Sequence, residues 1–143
     1  MRILAVDWGE RRIGLAVSDP TGMIATALPT LTVAGRDEAV RKVAAVATET
    51  GSERIVVGLP LLMSGARGEA ALAAERFAAE LEGRTDLPVH TYDERLTSAL
   101  SQRRLRERGV RTGRDKGSVD AGAAMALLES YLQRLAAERN ETQ

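Results

Sequence analysis

The feature of this sequence that most limits its possible folds is a change of hydrophobic pattern near Gly35. Before it, residues 2–7, 12–18 and 23–33 form three short apolar segments separated by turn residues, which predicts three strands joined in an antiparallel meander. After it, helical spacing alternates with extended segments, which predicts parallel crossovers within the same sheet. Pro29 interrupts the third segment, and proline inside a strand indicates an edge strand. The sequence therefore predicts an α/β fold with a mixed sheet.

The elements after the meander follow from the same periodicities. Helices are predicted where apolar residues recur every three or four positions, and strands where short apolar runs lie between turn residues. These elements are a helix at 36–50, a strand at 54–60, a helix with Ala70, Ala73, Phe77 and Leu81 on one face, a strand at 87–92, and helices at about 97–109 and 118–139. We expect one domain over residues 1–138 and a frayed tail over 139–143.

Length and composition exclude several classes of protein. The 143 residues, 44% hydrophobic and 28% charged, suit one folded domain rather than a disordered chain. No run approaches the roughly 18 apolar residues that cross a membrane, and the first strand reaches Asp7 before a signal sequence could form. The absence of cysteine removes disulfides and thiolate metal sites. We therefore expect a cytoplasmic protein with no membrane partner.

The net charge of zero conceals an uneven distribution of charge along the chain. From Arg95 to Lys116 there are eight cations and two anions, a local balance of +6. Such a segment predicts phosphate contacts and salt-dependent binding, although a solvated helix face is the alternative. The chain has one Trp, one Phe and two Tyr. We therefore expect recognition of nucleic acid by shape and backbone rather than by base stacking.

Three acids stand where strands or helices begin or end. Asp7 closes the first strand, Glu94 follows the last one, and Asp120 lies in the first turn of the final helix. Sites in open α/β sheets form beyond the carboxyl ends of strands, so these carboxylates could meet at one edge of the sheet. Carboxylates in one pocket repel each other unless a cation neutralises them, and their hard oxygens suit Mg²⁺ or Mn²⁺. Two such ions roughly 4 Å apart can activate water and stabilise the leaving oxygen of a phosphodiester.

Each acid also has a purely structural interpretation. Asp7 is compatible with an ordinary turn, and Glu94 with a favourable charge at the start of a helix. Asp120 follows Ser118, a candidate N-cap, where the helix dipole alone favours an acid. The lone histidine, His90, lies within a predicted strand and is expected to pack there, so a histidine-based catalytic triad is not supported.

Four sequence blocks stand in a fixed order along the chain. They are residues 7–19, residues 57–60 with the glycine loop 65–68, residues 93–97, and residues 116–120 with Ala123 and Ala124. Together they resemble the YqgF/RuvX family of bacterial proteins, which is similar to RuvC-type Holliday junction resolvases, and the resemblance covers residues 2 to about 134. One departure is visible. The family often carries an aspartate before the first glycine of the loop, and here Ser64 occupies that place.

The resemblance implies a ribonuclease H-like fold, with a five-stranded mixed sheet flanked by helices. It also implies a hydrolase, a nuclease that completes the 5′ end of pre-16S ribosomal RNA in ribosome biogenesis. Asp7, Glu94 and Asp120 would be the catalytic acids and would bind two Mg²⁺ or Mn²⁺ ions. The residues expected to contact nucleic acid are Arg12, Arg95, Arg103, Arg104 and Lys116. In the resolvases the second acid lies on the strand beside the first, whereas Glu94 follows a strand expected one position further out.

Other functions stay open at this point. The same residues suit a resolvase of branched DNA, which would act as a homodimer with two sites facing the junction. A non-catalytic module would instead bind RNA or ribosomal particles through the arginine-rich segment, with the acids playing structural parts. An ATPase of related fold would need two such domains, and 143 residues are too few. The expected partners are structured RNA, ribosomal particles or branched DNA, and the protein is expected to be a monomer or a homodimer.

Overall fold

A five-stranded sheet with helices on both faces forms the centre of the structure. The computed structural model describes residues 1–97 and 116–141, and side chains over 1–97 and 122–141. The strands are β1 (Ile3–Asp7), β2 (Arg12–Ser18), β3 (Ala25–Thr32), β4 (Arg54–Leu59) and β5 (Val89–Asp93). The helices are α1 (Arg36–Thr50), α2 (Glu69–Glu82) and α3 (Lys116–Glu141), and a 3₁₀ turn covers Glu94–Leu96.

The strand order is β3-β2-β1-β4-β5. The first three strands pair antiparallel, and β4 pairs parallel with both β1 and β5. The predicted meander and crossovers are therefore confirmed. β3 is an edge strand, as Pro29 indicated. Ile13 pairs with Leu31 and Leu15 with Leu28, so β3 carries one extra residue beside Pro29, a β-bulge that accommodates the missing N–H.

The two faces of the sheet are covered by different helices. Along β1, Leu4 and Val6 pack in the core formed with α1 and α2, whereas Ile3 and Ala5 pack against α3. Side chains alternate between the faces of a strand, so Asp7, the next odd-numbered residue, lies on the α3 face. The residues of α3 buried against the sheet are Ala123, Ala124, Leu127, Leu128, Tyr131 and Leu132.

The contacts of α3 fix its direction across the sheet. Arg54 Nη1, at the start of β4, donates to the Tyr131 hydroxyl at 3.0 Å, so the second half of α3 lies over the amino ends of the parallel strands. Ala123, about 12 Å earlier along the helix axis at 1.5 Å per residue, is buried against the same face. The helix backbone at Asp120 therefore lies toward the carboxyl ends of β1 and β4, where Asp7 stands.

Three sequence predictions on elements need comment. α3 extends past both predicted ends, and residues 139–141, expected to fray, are helical. These three residues include no Gly or Pro that would end the helix. The helix predicted at 97–109 lies outside the described residues apart from Thr97. The expectation that His90 packs within the sheet is wrong, because β5 is an edge strand and His90 is exposed, with Nδ1 3.2 Å from the Tyr131 hydroxyl.

No helix in the described part of the chain is long and apolar enough to cross a membrane.

Candidate active site

Asp7 is held at a fixed place by the strand before it and the hairpin after it. Its side chain is fully buried at the carboxyl end of the central strand. Trp8 points to the opposite face and stacks on Phe77 of α2, with ring centroids 4.7 Å apart and planes 20° apart. A Cβ on Gly9 would overlap the carbonyl oxygen of Arg12, so only glycine lets the hairpin close this tightly. The Asp7 carboxylate is therefore preorganised.

Glu94 is also fully buried, and it lies in the 3₁₀ turn that follows β5. Asp93 caps this turn: its Oδ1 accepts from the Arg95 N–H at 2.9 Å. The Thr97 hydroxyl donates to the Glu94 carbonyl at 3.0 Å and closes the turn. Two side chain to backbone hydrogen bonds therefore fix the direction in which the chain leaves the sheet at Glu94.

The Glu94 side chain lies over the intervening strand. A Cβ on Gly58 of β4 would overlap Glu94 Oε1 and stand 3.1 Å from both Cγ and Cδ. The ladder that pairs Val6 with Val57 places Gly58 beside Asp7, at the usual strand spacing of about 4.8 Å. Asp7 and the Glu94 carboxylate thus meet at one edge of the sheet, although β4 separates their strands.

The donor set of this edge suits a hard divalent cation. Burying one ionised carboxylate is costly, and burying two on neighbouring strands is more so unless positive charge compensates. Carboxylate oxygens are the ligands that Mg²⁺ and Mn²⁺ prefer. Among side chains that the structure describes, no three metal-ligating groups cluster. Asp120 is the third predicted acid. The backbone of α3 at this residue lies toward the same edge, and the structure does not describe its side chain.

The comparisons with known proteins agree with this architecture. A family model described as "RuvX: Holliday junction resolvase" matches residues 1–134. The chain belongs to the RuvX family. A protein of Anaeromyxobacter dehalogenans is 44% identical over 136 residues, covering 95% of this chain and 99% of that protein. One of Chloroflexus aurantiacus is 42% identical over 130 residues, covering 91% and 85%. Both carry the name "Putative pre-16S rRNA nuclease".

A solved structure extends the likeness to the fold. The structure titled "T. thermophilus RuvC in complex with Holliday junction substrate" matches with a TM-score of 0.58 at 17% identity, covering 95% of this chain and 96% of that one. At this identity the match concerns the fold alone. This member of the RuvX family therefore has the ribonuclease H-like fold that the resemblance implied.

The structure brings two of the predicted phosphate-binding residues to this edge. Arg12 is partly buried at the start of β2, two residues before Gly14, the pairing partner of Asp7. Arg95 follows Glu94 directly. Lys116 begins α3, but its side chain lies outside the described residues, as do Arg103 and Arg104 entirely.

Arg95 is paired within the protein. Its Nε lies 3.1 Å from both carboxylate oxygens of Asp93, and Nη2 lies 2.8 Å from Oδ2. Its Nη1 donates to the Met63 carbonyl at 3.3 Å and so holds the loop between β4 and α2. This hydrogen-bonded pair lowers the pKa of Asp93 and raises that of Arg95. The structure therefore gives Arg95 a structural contact that the sequence did not indicate.

The loop held by Arg95 contains the position that departs from the family pattern. Ser64 Oγ accepts from the Ala66 N–H at 3.3 Å, and Gly65 has a left-handed φ of +90°. A Cβ on Gly65 would stand 3.4 Å from Arg95 Nη1. Ser64 therefore shapes a tight turn beside the Arg95 guanidinium.

Sequence reasoning missed two residues at this edge. Asp93 and Gly58 belong to two of the four sequence blocks, but the sequence assigns no role to either residue. A signal for Gly58 existed, because glycine inside an apolar strand often marks a close approach of another group. Asp93 and Arg95 stand only two residues apart, and their side chains pair within the 3₁₀ turn that follows β5.

Asp93→Asn should weaken the acid dependence of stability. The lowered pKa of Asp93 means that its pairing with Arg95 contributes stability above the unfolded value of about 4, and this contribution is lost as the pH falls through the folded pKa. We expect the free energy of unfolding to fall less between about pH 4 and pH 2 in the variant than in wild type. Urea titrations across this range measure the difference, and parallel curves for the two proteins would contradict the prediction.

Proposed function

We propose that this chain is a divalent-metal-dependent nuclease that completes the 5′ end of pre-16S ribosomal RNA. The observation that carries the proposal is the meeting of two fully buried carboxylates, Asp7 and Glu94, at the carboxyl edge of a ribonuclease H-like sheet. The name shared by the relatives of the RuvX family supports the substrate.

In this proposal each residue at the edge has a distinct part. Asp7 and Glu94 hold the metal, with Asp120 of α3 as the third acid. When bound, Mg²⁺ or Mn²⁺ supplies an activated water and stabilises charge on the leaving oxygen. The rigid hairpin after Asp7 and the capped turn around Glu94 keep the two carboxylates in place, so little reorganisation is needed.

The cations of the chain would bind the substrate backbone. Arg12 lies at the same edge of the sheet and Arg95 borders it. In this proposal both would contact phosphates next to the cleaved bond, and Lys116 would join them from α3. Arg103 and Arg104 of the arginine-rich segment would add contacts further along the strand. Because these contacts are electrostatic, binding should weaken steeply as the salt concentration rises.

Cleavage of branched DNA is the second candidate. The observations that favour it are the description of the family as a Holliday junction resolvase and the shared fold with RuvC. A resolvase must place two sites on one junction, so this function would require a homodimer.

A cleavage assay on two substrates tests the proposal. Wild-type protein with Mg²⁺ or Mn²⁺ should trim a precursor RNA to its mature 5′ end, leave a four-way DNA junction intact, and lose activity when EDTA removes the metal. Preferential cleavage of the junction would favour the second candidate. Binding of RNA without cleavage in either metal, abolished when Arg103 and Arg104 are neutralised, would contradict the nuclease and identify a binding module.

A further inference from the structure

We propose that Gly58 is a positioning residue: it leaves an empty place on β4 into which Glu94 extends its carboxylate toward Asp7. The inference rests on the proposed function, because it concerns the metal-binding arrangement of that same edge. It also explains how Glu94, which follows β5, reaches a site centred on β1 although β4 lies between the two strands.

The Glu94 side chain fills the space that a side chain at position 58 would need. The three heavy atoms nearest to a Cβ on Gly58 all belong to the Glu94 side chain, namely Oε1, Cγ and Cδ. Any residue other than glycine would therefore displace Glu94. Neither the backbone nor another side chain is the nearest obstacle, so the space beside Gly58 is specifically the space that Glu94 occupies.

The backbone conformation at position 58 does not require glycine. The described glycines with positive φ are Gly22, Gly51 and Gly65, and Gly58 is not among them. Glycine also weakens a strand interior, since it has no side chain to pack. Gly58 lies in a fully buried stretch of β4 where the neighbouring residues are apolar. Its presence is explained by space and not by backbone conformation.

The strand register places Gly58 between Asp7 and the end of β5. Val6 pairs with Val57 on one side of β4, and Gly58 itself pairs with Tyr92 on the other. A side chain at position 58 would thus stand between Asp7 and the end of β5. Glu94 leaves the chain two residues after Tyr92, and its side chain is long enough to cross one strand spacing. The missing side chain of Gly58 is what opens that path.

Thermal unfolding of four proteins tests the steric contact directly. Gly58→Ala should lower Tm by roughly 5 °C or more in the wild-type background. In the Glu94→Ala background the same substitution should cost little, because the atoms that the new methyl group meets are gone. Gly83→Ala is the matched control, since a Cβ there would stand 3.5 Å from its nearest neighbour, the Glu80 carbonyl oxygen, and its φ of −76° is open to any residue.

Each result of this cycle decides the question. If Gly58→Ala lowers Tm only in the wild-type background, where Glu94 is present, the proposal is supported. It is also supported if the Gly58→Ala protein folds only when Glu94→Ala is present as well. Equal losses in the two backgrounds, or no loss in either, overturn it, because the methyl group would then not be meeting Glu94.

Metal binding provides the second readout. Trp8, the single tryptophan, directly follows Asp7, so light absorbed by Trp8 can sensitise luminescence of Tb³⁺ bound at this edge. Gly58→Ala should weaken Tb³⁺ binding roughly 10- to 100-fold, the usual cost of disturbing a group that orients a ligand. An unchanged affinity in folded Gly58→Ala overturns the positioning role.

Asp7→Asn separates this inference from the proposed function. If Asp7→Asn leaves Tb³⁺ affinity unchanged, the proposed metal site fails, while the Tm cycle still reports on the contact of Gly58 with Glu94. If Asp7→Asn abolishes binding and Gly58→Ala does not weaken it, the metal site stands and the role of Gly58 fails.

Discussion

Asp7→Asn should reduce metal-dependent cleavage by on the order of 10³-fold, the loss seen when one electrostatic group is removed from a preorganised site. Asparagine has nearly the same shape as aspartate but carries no charge and offers only one ligating oxygen. Asp7 is the fully buried acid on the central strand, so the substitution removes charge from the centre of the proposed site. The comparison requires cleavage rates for both proteins at saturating Mg²⁺ or Mn²⁺.

Stability measurements show whether the lost activity comes from the site or from unfolding. We expect Asp7→Asn to keep a cooperative thermal transition, and to lose the rise in Tm that added metal gives wild type, because a ligand that binds only the folded state stabilises it. Asp37→Asn, an exposed acid in the first turn of α1, should keep both cleavage and the metal effect. Full cleavage by folded Asp7→Asn would contradict the proposed mechanism.

Local signals account for the parts of the fold that the sequence predicted well. The bounds of β2 and α1 coincide with the predicted residues 12–18 and 36–50. α1 ends where predicted because Gly51 adopts the left-handed conformation that closes a helix, with φ of +67°. The edge position of β3 followed from Pro29, which cannot donate to a neighbouring strand. In each case a residue acts on its own neighbourhood.

The arrangement of the site depends on tertiary structure and was harder to predict. The sequence identified Glu94 as a candidate and indicated that it follows the strand beyond β4. Its reach toward Asp7 depends on Gly58, a residue 36 positions earlier whose role appears only when β4 and β5 pair. The hydrogen bond from Arg95 to the Met63 carbonyl could likewise not be predicted, since it links the turn after β5 to the loop after β4. Asp120 stays a prediction.

Phe77→Ala should cost about 3–5 kcal/mol of unfolding free energy, the range measured for truncating buried aromatic side chains. Phe77 is fully buried in α2 and stacks on Trp8, so the substitution removes apolar area and leaves a cavity beneath the hairpin. Urea unfolding followed by circular dichroism measures the loss. Phe77→Leu, which refills much of the space, should lose clearly less, and equal losses for the two variants would contradict this origin of the effect.

The same substitution should also weaken metal binding, because Trp8 directly follows Asp7 and Phe77 is its stacking partner. Leu81→Ala is the matched control: Leu81 is fully buried one turn further along α2, and its truncation should cost a comparable 2–5 kcal/mol. We expect isothermal titration calorimetry, under conditions where both variants are folded, to show a lower affinity for Mn²⁺ in Phe77→Ala than in Leu81→Ala. Equal affinities would mean that the β1 strand alone holds Asp7, and that the stack of Trp8 on Phe77 serves stability without positioning the carboxylate.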